Sequence, residues 1–510
     1  MVKIMRTLLN RMGITVLLII LQLAFIIFEI FKLGNYYIQI SIALNAISVM
    51  VAFWIVCQEE IRPEIKIAWI VPILLFPLFG GIMYILYGHN HVSKKLKTEL
   101  QDILHSSRKL LEQNQKEVTE LSQDEFKLCG EVKYLYRAGY PLYKNSSATY
   151  YEIGEKYWEA LLIELEKAEE FIFLEYFIIN QGKVWDSVHE ILKRKVKEGV
   201  EVRLLYDDMG SVFYLPFNFA ARLEKEGIRC LAFNKLFPMM SISQNNRDHR
   251  KIVVIDGKTA FTGGINLADE YINHTHLYGH WKDTGIKLHG EGVWSFTVMF
   301  LQMWCMSGRT KEDFNRYRTE ETGKEENFDG YIQPYGDIPY LKERVGEKVY
   351  LNIIESARKY LYIYTPYLII GNDMTKSLIR AADRGVDVRI VTPGVPDKKM
   401  VYWLTQSNYK VLVEGGIKIL QYTPGFLHGK CVLCDDYKAV VGTVNFDYRS
   451  FIHHFECGAV LYNASICKDM KEDMLSTFTK CEEITMDWFG RKHIRWWLFG
   501  PVLKLLSPLF

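Results

Sequence analysis

The sequence predicts an α/β protein in which N-terminal transmembrane helices precede two similar α/β halves related by a pseudo-twofold axis. Three observations support this fold class: apolar runs crowd the first 90 residues, helix and strand patterns alternate after them, and the alternation occurs twice. The chain has 510 residues, of which 49% are hydrophobic, and this is enough for more than one folding unit. Its net charge of only +2 provides no basic field, so we expect no nucleic-acid partner.

The predicted transmembrane region occupies residues 1–90 and contains three apolar runs, at residues 12–31, 38–57 and 66–88. Each run is close to the ~20 residues that cross the hydrocarbon core of a bilayer. Tyrosine and tryptophan residues lie near the ends of the runs, as they do at membrane interfaces. Buried core helices could also be this apolar, and a cleaved signal peptide could explain the first run alone. Three runs so close together favour a multi-pass membrane protein.

Two basic clusters flank these runs: Lys3, Arg6 and Arg11 precede the first run, and Lys94, Lys95 and Lys97 follow the third. Basic residues beside membrane spans prefer the cytoplasm. Three crossings would place the two clusters on opposite sides of the membrane. Either one run does not cross or one cluster lies on the unfavoured side, and the sequence leaves this choice open. We expect the two α/β halves at the cytoplasmic face.

The membrane region is followed by a helical connector (residues 91–138), a first half (139–306), a linker (307–330) and a second half (331–488), and a C-terminal segment comes after them. The two halves are predicted from repeated stretches, such as EGVEVRLLYDD in the first half and RGVDVRIVTPG in the second. Each copy has a glycine suited to the end of a helix and continues as a strand with β-branched residues. Because strands and helices alternate, we expect a substantially parallel sheet in each half.

The C-terminal segment, residues 489–510, mixes basic and aromatic residues with leucines. A helix packed on the core of the preceding domain would account for this composition. A helix lying at the membrane interface, beside anionic lipid headgroups, accounts for it better. We therefore predict an amphipathic membrane-interface segment.

One motif occurs once in each half. HRKIVVID extends from His249 to Asp256, and HGKCVLCD extends from His428 to Asp435. Both copies read HxKxxxxD, and both are followed by GxxN at the same offset. A single HxKxxxxD is weak evidence, because it arises by chance at roughly one position in ten thousand at average composition. Two copies at equivalent points of an internal repeat are strong evidence for a shared site.

The second copy also contains a CxxC pair, Cys431 and Cys434, which could indicate a metal site or a redox pair. The first copy has Ile252 and Ile255 at the same places. Residues three apart on a strand point to opposite faces, so these thiols could not chelate one ion without distortion. We interpret them as small buried hydrophobic residues. The nine cysteines show no disulfide framework, which fits a reducing compartment.

The two motifs together offer chemistry for a phosphate group. Facing halves would bring together two residues of each type: His249 and His428, Lys251 and Lys430, and Asn266 and Asn445. The lysines and amides could stabilise charge on five-coordinate phosphorus without a metal. One histidine could attack phosphorus while the other, protonated, donates to the leaving oxygen. Asp256 and Asp435 lie an odd number of residues from their histidines, so we expect them to face away and to support the site.

The two HxKxxxxDxxxxxxGxxN motifs resemble those of the phospholipase D superfamily, and the surrounding sequence is similar to bacterial cardiolipin synthases. The similar stretches include NNRDHRKIVVIDGKTAFTGGINLADEY, HWKDTG and LHGKCVLCDDYKAVVGTVNFDYRSF. The resemblance implies condensation of two phosphatidylglycerols into cardiolipin and glycerol, through a phosphohistidine, at a bacterial cell membrane. It also implies no metal and no other cofactor. The implied partners are phosphatidylglycerol and membrane lipids.

Carried over by position, the resemblance implies a catalytic set of His249, Lys251, Asp256, His428, Lys430 and Asp435, with phosphate binding by Lys251, Lys430, Asn266 and Asn445. It further implies that an acidic residue after each motif orients a histidine ring, and Asp283 and Glu456 occupy those places. The spacing does not decide which histidine attacks. The resemblance favours His249 as the nucleophile and His428 as the general acid and then base.

Other functions fit parts of the sequence. A membrane-bound phospholipase D or another phosphatidyltransferase would use the same motifs. A nuclease of the superfamily would not need three apolar runs and should carry a basic face. A non-enzymatic membrane scaffold would have no reason to keep both histidine–lysine pairs and both asparagines. We therefore expect a phosphatidyltransferase.

Overall fold

The computed structural model describes residues 20–27, 31, 36–88, 94–111, 118–119, 121, 129–235, 245–319, 330–462, 464–490, 500, 503–505 and 507–509. These residues divide into two compact units. The small unit contains the apolar N-terminal helices and the described C-terminal residues. The large unit contains both repeated halves, together with the connector before them.

The small unit contains one long apolar helix, α1 (Tyr37–Val56), which corresponds to the predicted run at residues 38–57. Among the described residues it is the helix with the length and hydropathy of a membrane span, and only 17% of its most apolar window is buried. Of the predicted run at residues 12–31, residues 20–27 are helical and residue 31 lies in a turn. The other positions of that run lie outside the described residues.

The third apolar run is not a single helix, so the prediction of one continuous span over residues 66–88 is wrong. The chain forms α2 (Pro63–Leu75) and α3 (Pro77–Tyr87), with Phe76 between them in a non-helical conformation (φ −132°, ψ 74°). Pro77 has no N–H, and its ring disfavours the helical conformation of the preceding residue. The sequence FP therefore ends one helix and begins the next.

The connector and the C-terminal segment are only partly described. Within the connector, α4 (Lys94–Arg108) and α5 (Cys129–Arg137) are helical, as predicted for this region. Residues 491–499 of the predicted membrane-interface segment lie outside the described residues. The short 3₁₀ turn Ser507–Leu509 packs against α2. The position of this segment at a membrane interface remains a prediction.

The first half contains a seven-stranded sheet in the order β1-β9-β7-β6-β2-β3-β4. Its strands, with two short strands that pair elsewhere (β5 and β8), are β1 (Ser146–Tyr151), β2 (Phe171–Tyr176), β3 (Glu201–Asp207), β4 (Arg229–Phe233), β5 (Arg247–Asp248), β6 (Ile252–Ile255), β7 (Thr259–Gly263), β8 (His280–Lys282) and β9 (Gly285–Gly290). Its helices are α6 (Gly154–Glu166), α7 (Lys183–Lys197), α8 (Asp208–Ser211), α9 (Phe219–Lys225) and α10 (Val293–Gly308). The linker contains a 3₁₀ turn at Phe314–Tyr317, and residues 320–329 lie outside the described part.

The second half contains a sheet whose main path is β10-β19-β17-β16-β11-β13-β14-β20. Its strands, again with short strands that pair elsewhere, are β10 (Tyr331–Asp337), β11 (Tyr360–Tyr364), β12 (Leu368–Ile369), β13 (Asp387–Pro393), β14 (Lys418–Tyr422), β15 (Gly425–Leu427), β16 (Cys431–Cys434), β17 (Lys438–Gly442), β18 (Phe446–Asp447), β19 (His454–Tyr462) and β20 (Cys481–Ile484). Its helices are α11 (Val345–Ser356), α12 (Asn372–Asp383), α13 (Lys399–Ser407), α14 (Tyr409–Glu414), α15 (Ile466–Phe478) and α16 (Met486–Gly490).

The two sheets share one strand order, which confirms the predicted pair of α/β halves. The strands of the first sheet, β1-β9-β7-β6-β2-β3-β4, correspond one by one to β10-β19-β17-β16-β11-β13-β14 of the second sheet. Equivalent strands therefore have equivalent neighbours. The sheets are less parallel than predicted, because only β2-β3-β4 and β11-β13-β14 run parallel. The motif strands β6 and β16 instead join the next strands through tight hairpins, so the histidine motifs lie in the antiparallel part of each sheet.

Each motif ends in an aspartate that closes its hairpin. Asp256 and Asp435 have positive φ values of 52° and 54° at the turns after β6 and β16. The Asp435 carboxylate accepts hydrogen bonds from the backbone N–H groups of Arg358, Lys359 and Tyr360, at 2.7–2.9 Å. The Asp256 carboxylate accepts three equivalent bonds at the start of β2. These aspartates therefore connect the motif hairpin to the neighbouring parallel strand in each half.

We predict that Asp435→Asn destabilises the protein by ~2–4 kcal/mol, because a neutral amide cannot accept three N–H bonds as a carboxylate does. Asparagine tolerates positive φ, so the substitution tests the hydrogen bonds and not the turn geometry. The measurement is the unfolding midpoint of the detergent-solubilised protein.

Asp436→Asn is the matched control for that substitution. Asp436 also has positive φ, but its carboxylate is half exposed and pairs with Lys471 on the surface. Removing an exposed ion pair should cost at most ~1 kcal/mol. Equal losses in the two variants would contradict the structural role assigned to Asp435.

Candidate active site

Two short parallel ladders join the halves and carry the motif histidines into one site. In the first, β5 pairs with β19, with Arg247 opposite His454 and Asp248 opposite Phe455. In the second, β15 pairs with β8, with Phe426 opposite Trp281 and Leu427 opposite Lys282. The residue after each ladder is a motif histidine on one side and an acidic residue on the other. Parallel neighbours in register place their side chains side by side.

Each histidine consequently contacts the carboxylate of the other half. His249 Nδ1 lies 3.0 Å from both carboxylate oxygens of Glu456. His428 Nδ1 lies 2.6 Å from Asp283 Oδ2. Both carboxylates are completely buried. We call these two contacts the crossed pairs. An orienting acid after each motif was expected from the sequence, but the exchange between halves was not.

The carboxylates of the crossed pairs are themselves held in place. Thr443 Oγ1 donates a hydrogen bond to Glu456 Oε2. The Thr284 backbone N–H donates to Asp283 Oδ1 at 2.8 Å. Gly264, at the position equivalent to Thr443, lies so close to Asp283 that an added Cβ would collide with the carboxylate. The first half therefore needs glycine where the second half uses a hydroxyl group.

The two motif lysines are completely buried beside the histidines. Lys251 Nζ donates to the backbone carbonyl of His249 at 2.6 Å. Lys430 Nζ makes the equivalent bond to His428 and also lies 2.9 Å from His428 Nδ1. Burial lowers the pKa of Lys251 to about 8 and that of Lys430 to about 7, although Glu456 and Asp283 each oppose the shift. A bound anion would favour the charged form of both ammonium groups.

The electrostatics of the two histidines differ. Burial, followed by the charges of Lys251 and Lys430, lowers the pKa of His249 well below its usual value. Burial and Lys430 lower the pKa of His428 to about 4, but Asp283 acts in the opposite direction. Both rings are therefore neutral at neutral pH before substrate binds. Each ring also contacts a buried carboxylate, and a negative charge at that distance favours the imidazolium form.

The motif asparagines, Asn266 and Asn445, occupy different environments. Asn266 Oδ1 accepts the backbone N–H of Ile178 at 3.0 Å, and its Nδ2 donates to the Tyr271 hydroxyl at 2.6 Å. At most one amide N–H of Asn266 is left for a phosphate. Asn445 Oδ1 has no hydrogen-bond partner among the residues that the structure describes. The predicted phosphate role therefore remains a prediction for both side chains.

His454 also lies in the site, although it was not predicted from the sequence. Its ring is 5.4 Å from that of His249, and its Nδ1 is 3.5 Å from Glu456 Oε1. Burial lowers the pKa of His454 to about 3. The equivalent residue of the first half is Trp281, whose ring lies 5.2 Å from His428. The sequence offers one indication that His454 belongs to the site: His454 and Trp281 each lie two residues before an orienting acid, Glu456 or Asp283.

The described residues include one group with the geometry of a metal site, and it consists of His249, His454 and Glu456. Their ligand atoms lie within 4.8 Å of one another, and all three residues are buried. His249 and Glu456 also form a crossed pair, so a cation bound through His249 Nδ1 would compete with that contact. Metal-free chemistry remains a prediction.

The CxxC pair lies on a strand, as predicted from the sequence. Cys431 and Cys434 are the first and last residues of β16, and both are buried. Cys431 belongs to a large apolar cluster, and burial raises the pKa of both thiols. The pair therefore contributes to packing behind the site.

Comparison with known proteins identifies the family. Residues 161–277 and 350–477 match the family described as "Cardiolipin synthase, PLD-like domain", and residues 46–88 match "Phospholipase_D-nuclease N-terminal". An uncharacterized protein of Streptococcus mutans is 44% identical, covering 87% of this chain and 96% of its own length. Cardiolipin synthases of Alkalihalophilus pseudofirmus and Halalkalibacterium halodurans are 31% and 30% identical and cover 89% and 98% of this chain.

A solved structure shares the fold. Phosphatidylserine synthase of Haemophilus influenzae aligns with a TM-score of 0.55 at 12% identity, over 75% of this chain and 100% of its own. At that identity the likeness concerns the fold alone. The sequence matches carry the family assignment, since they extend over both halves and most of each relative. The chain belongs to the cardiolipin synthase-like proteins of the phospholipase D superfamily.

Proposed function

We propose that the protein is a cardiolipin synthase, which transfers a phosphatidyl group from one phosphatidylglycerol to another and releases glycerol. The observation that carries the proposal is the pair of buried histidines, each bonded to the carboxylate of the other half and each beside a buried lysine. The 30–31% identity to proteins named cardiolipin synthase supports the choice of substrate.

In the first step, Nε2 of His249 attacks phosphorus and the bond from phosphorus to the headgroup glycerol oxygen breaks. Glu456 accepts the hydrogen of His249 Nδ1, which leaves the Nε2 lone pair free. His428 gives its proton to the departing oxygen, so glycerol leaves neutral. Asp283 and the bound phosphodiester favour the protonated form of His428 that this step requires.

In the second step, His428 removes the proton from the headgroup hydroxyl of a second phosphatidylglycerol. That oxygen attacks phosphorus and displaces His249, which yields cardiolipin and returns both histidines to their starting forms. Lys251 and Lys430 stabilise the charge on phosphorus in both steps. The assignment of His249 as nucleophile and His428 as general acid and base rests on the resemblance to the phospholipase D superfamily, because each histidine contacts a buried carboxylate.

Exposed apolar side chains beside the site support a lipid substrate. After β3, Phe213 and Phe217 are 92% and 110% exposed, and after β13, Met400 and Trp403 are 44% and 48% exposed. We call these four residues the apolar rim. Lys398 and Lys399, next to Met400, are also exposed and could contact anionic headgroups. Pairs of large exposed apolar side chains on one segment are typical of an interaction surface.

In the sequence, the residues of the apolar rim come shortly after segments that are linked by contacts to the two motif histidines. Ser211, at the start of the first loop, donates a hydrogen bond to the carbonyl of Phe177, whose ring lies 5.0 Å from His249. In the second loop, Asp397 accepts a 2.6 Å hydrogen bond from Tyr367. The Tyr367 ring packs on Phe426, which contacts His428. The first loop and the loop before α13, which carries Met400 and Trp403, therefore lie near the histidines, where acyl chains or a membrane surface would approach.

A multi-pass location in a bacterial cell membrane, with the site at the cytoplasmic face, is part of the proposal. It rests on the three apolar runs of the sequence, on α1 and on the match of residues 46–88 to an N-terminal family domain. A hydrolytic phospholipase D remains the second candidate, since water in place of the second lipid would give phosphatidic acid through the same first step.

Purified protein in vesicles of labelled phosphatidylglycerol should form cardiolipin and free glycerol in equal amounts. The measurement is separation of the lipid product together with assay of the released headgroup. His249→Ala and His428→Ala should each reduce the rate by at least ~10³-fold, because each removes a reacting group. If phosphatidic acid were the main product, the protein would be a hydrolase and the proposed synthase activity would be contradicted.

The roles of the histidines are separable by trapping the covalent intermediate. With phosphate-labelled phosphatidylglycerol, His428→Asn should still accumulate a phosphatidyl adduct slowly, because glycerol can leave unassisted while the second step lacks its base. His249→Asn should form none. Mass spectrometry of peptides from the quenched protein locates the adduct. An adduct on His428 would reverse the two roles.

Substitution of the rim should affect activity on bilayers more than activity on soluble lipid. Phe213→Ser with Phe217→Ser should lower the rate on vesicles at least ~10-fold, since two large apolar contacts with the membrane are lost. The rate on monomeric short-chain phosphatidylglycerol should stay within about twofold. Ile163→Ser, at a 58% exposed apolar residue of α6, is the control and should leave both rates unchanged. Equal losses of activity on vesicles and on monomeric lipid would contradict the proposal that the apolar rim contacts the membrane.

A further inference from the structure

The third apolar run folds back on itself. Trp69 of α2 and Tyr84 of α3 have ring centroids 5.4 Å apart. Closer to the junction at Phe76–Pro77, a Cβ added to Gly80 would lie 2.6 Å from the Cα of Ile73. Both pairs are placed symmetrically about the junction. In a straight helix, Trp69 and Tyr84 would be separated by ~22 Å along the axis, at about 1.5 Å per residue. Thus α2 and α3 form an antiparallel hairpin with its tip at Pro77.

The neighbouring helix α1 shows how far the hairpin extends. Near its C-terminal end, the Trp54 ring lies 6.0 Å from that of Tyr84, at the open end of the hairpin. Further back, Ser48 Oγ lies 3.5 Å from the carbonyl oxygen of Pro77, at the tip. Ser48 is eight residues before Val56, which corresponds to ~12 Å of the ~30 Å length of α1 at about 1.5 Å per residue. The tip therefore reaches less than half the length of α1.

Polar groups at the tip have partners on other apolar helices. The backbone N–H of Phe79, in the first turn of α3, donates to Gln22 Oε1 at 3.1 Å. Ser48 Oγ approaches the Pro77 carbonyl from α1. Gln22 and Ser48 are 6% and 2% exposed, although both lie in apolar segments. In hydrocarbon, irregular backbone is tolerated only where such groups are satisfied. These contacts provide hydrogen-bond partners for polar groups at the tip, as a chain reversal inside a membrane requires.

We propose that residues 63–87 form a re-entrant hairpin, which enters one leaflet of the bilayer, turns near the midplane and leaves by the same face. Each arm is too short to cross: α2 has 13 residues and α3 has 11, against the ~20 residues of a full span. The arms bind the acyl region of one leaflet through exposed apolar side chains such as Ile67, Leu75 and Ile85.

The hairpin removes the conflict between the two basic clusters. If the runs at residues 12–31 and 38–57 both cross, as predicted from the sequence, and the third run does not, the N-terminal cluster and the cluster at Lys94, Lys95 and Lys97 fall on one side of the membrane. Both can then be cytoplasmic, as the distribution of basic residues in membrane proteins favours. The chain that follows Lys97, including both halves, would begin in the cytoplasm.

Cysteine accessibility in the full-length protein tests the topology. In a background with Cys57→Ser, Cys129→Ser and Cys481→Ser, in which the remaining native cysteines are buried, one cysteine at a time is introduced by Asn35→Cys, Glu60→Cys or Lys94→Cys and labelled with a membrane-impermeant maleimide. Glu60→Cys and Lys94→Cys should both react in inside-out vesicles and not in intact spheroplasts, and Asn35→Cys should do the reverse. Labelling of Glu60→Cys and Lys94→Cys from opposite faces would overturn the hairpin.

A cysteine at the tip tests insertion independently of the ends. Leu75→Cys should stay unlabelled from either face and react only after denaturation, because its thiol lies in hydrocarbon. Labelling of Leu75→Cys in native membranes would show that the hairpin lies outside the leaflet and would overturn the proposal.

Two adjacent glycines of α3 provide a matched test of the fold-back. Gly80→Ala places its methyl group against the backbone of Pro72 and Ile73, whereas a Cβ at Gly81 meets no atom within 4 Å. Gly80→Ala should lower the melting temperature of the solubilised protein, and Gly81→Ala should leave it unchanged or raise it. In a straight span both changes would favour the helix, so equal effects would contradict the hairpin.

Discussion

The crossed pairs are the interaction on which the active site depends. Each half provides one histidine and one carboxylate, but the carboxylate that orients a histidine comes from the other half. Two short parallel ladders fix this exchange, because the residues that pair in β5–β19 and β8–β15 come immediately before the reacting side chains. A separated half would keep its lysine and histidine and would lose the group that sets the tautomer of that histidine. The two halves therefore form one shared site, which neither half completes alone.

The same burial that orders the site also makes it selective for an anion. Two ammonium groups and two imidazoles are buried, and burial lowers the pKa values of all four groups. Before substrate binds, the site holds its positive charge at a cost in free energy. In the proposed mechanism, a phosphodiester would offset this cost by pairing with both lysines and by favouring protonation of His428. Under that mechanism, substrate binding would favour the protonation state that the first chemical step needs.

The sequence was sufficient for the repeated halves and for the two histidine–lysine motifs, because strand periodicity and two copies of HxKxxxxD are local patterns. It was insufficient where the outcome depends on pairing between distant segments. The crossed pairs depend on the register of β19 against β5, and no local pattern specifies that register. His454 was missed for the same reason, since its neighbour His249 is distant in the chain. The third apolar run was interpreted from its length, whereas Pro77 and the close approach at Gly80 determine its shape.

Double-mutant cycles on the free energy of unfolding test the crossed pairs most directly. The four combinations of His249→Gln or His428→Gln with Glu456→Gln or Asp283→Asn separate cross-half contacts from contacts within one half. Residues in direct contact typically couple by ~0.5–3 kcal/mol, and residues without contact add within ~0.5 kcal/mol. We expect coupling for His249 with Glu456 and for His428 with Asp283, and additivity for the other two combinations. Coupling of His249 with Asp283 and of His428 with Glu456 instead would contradict the crossed arrangement.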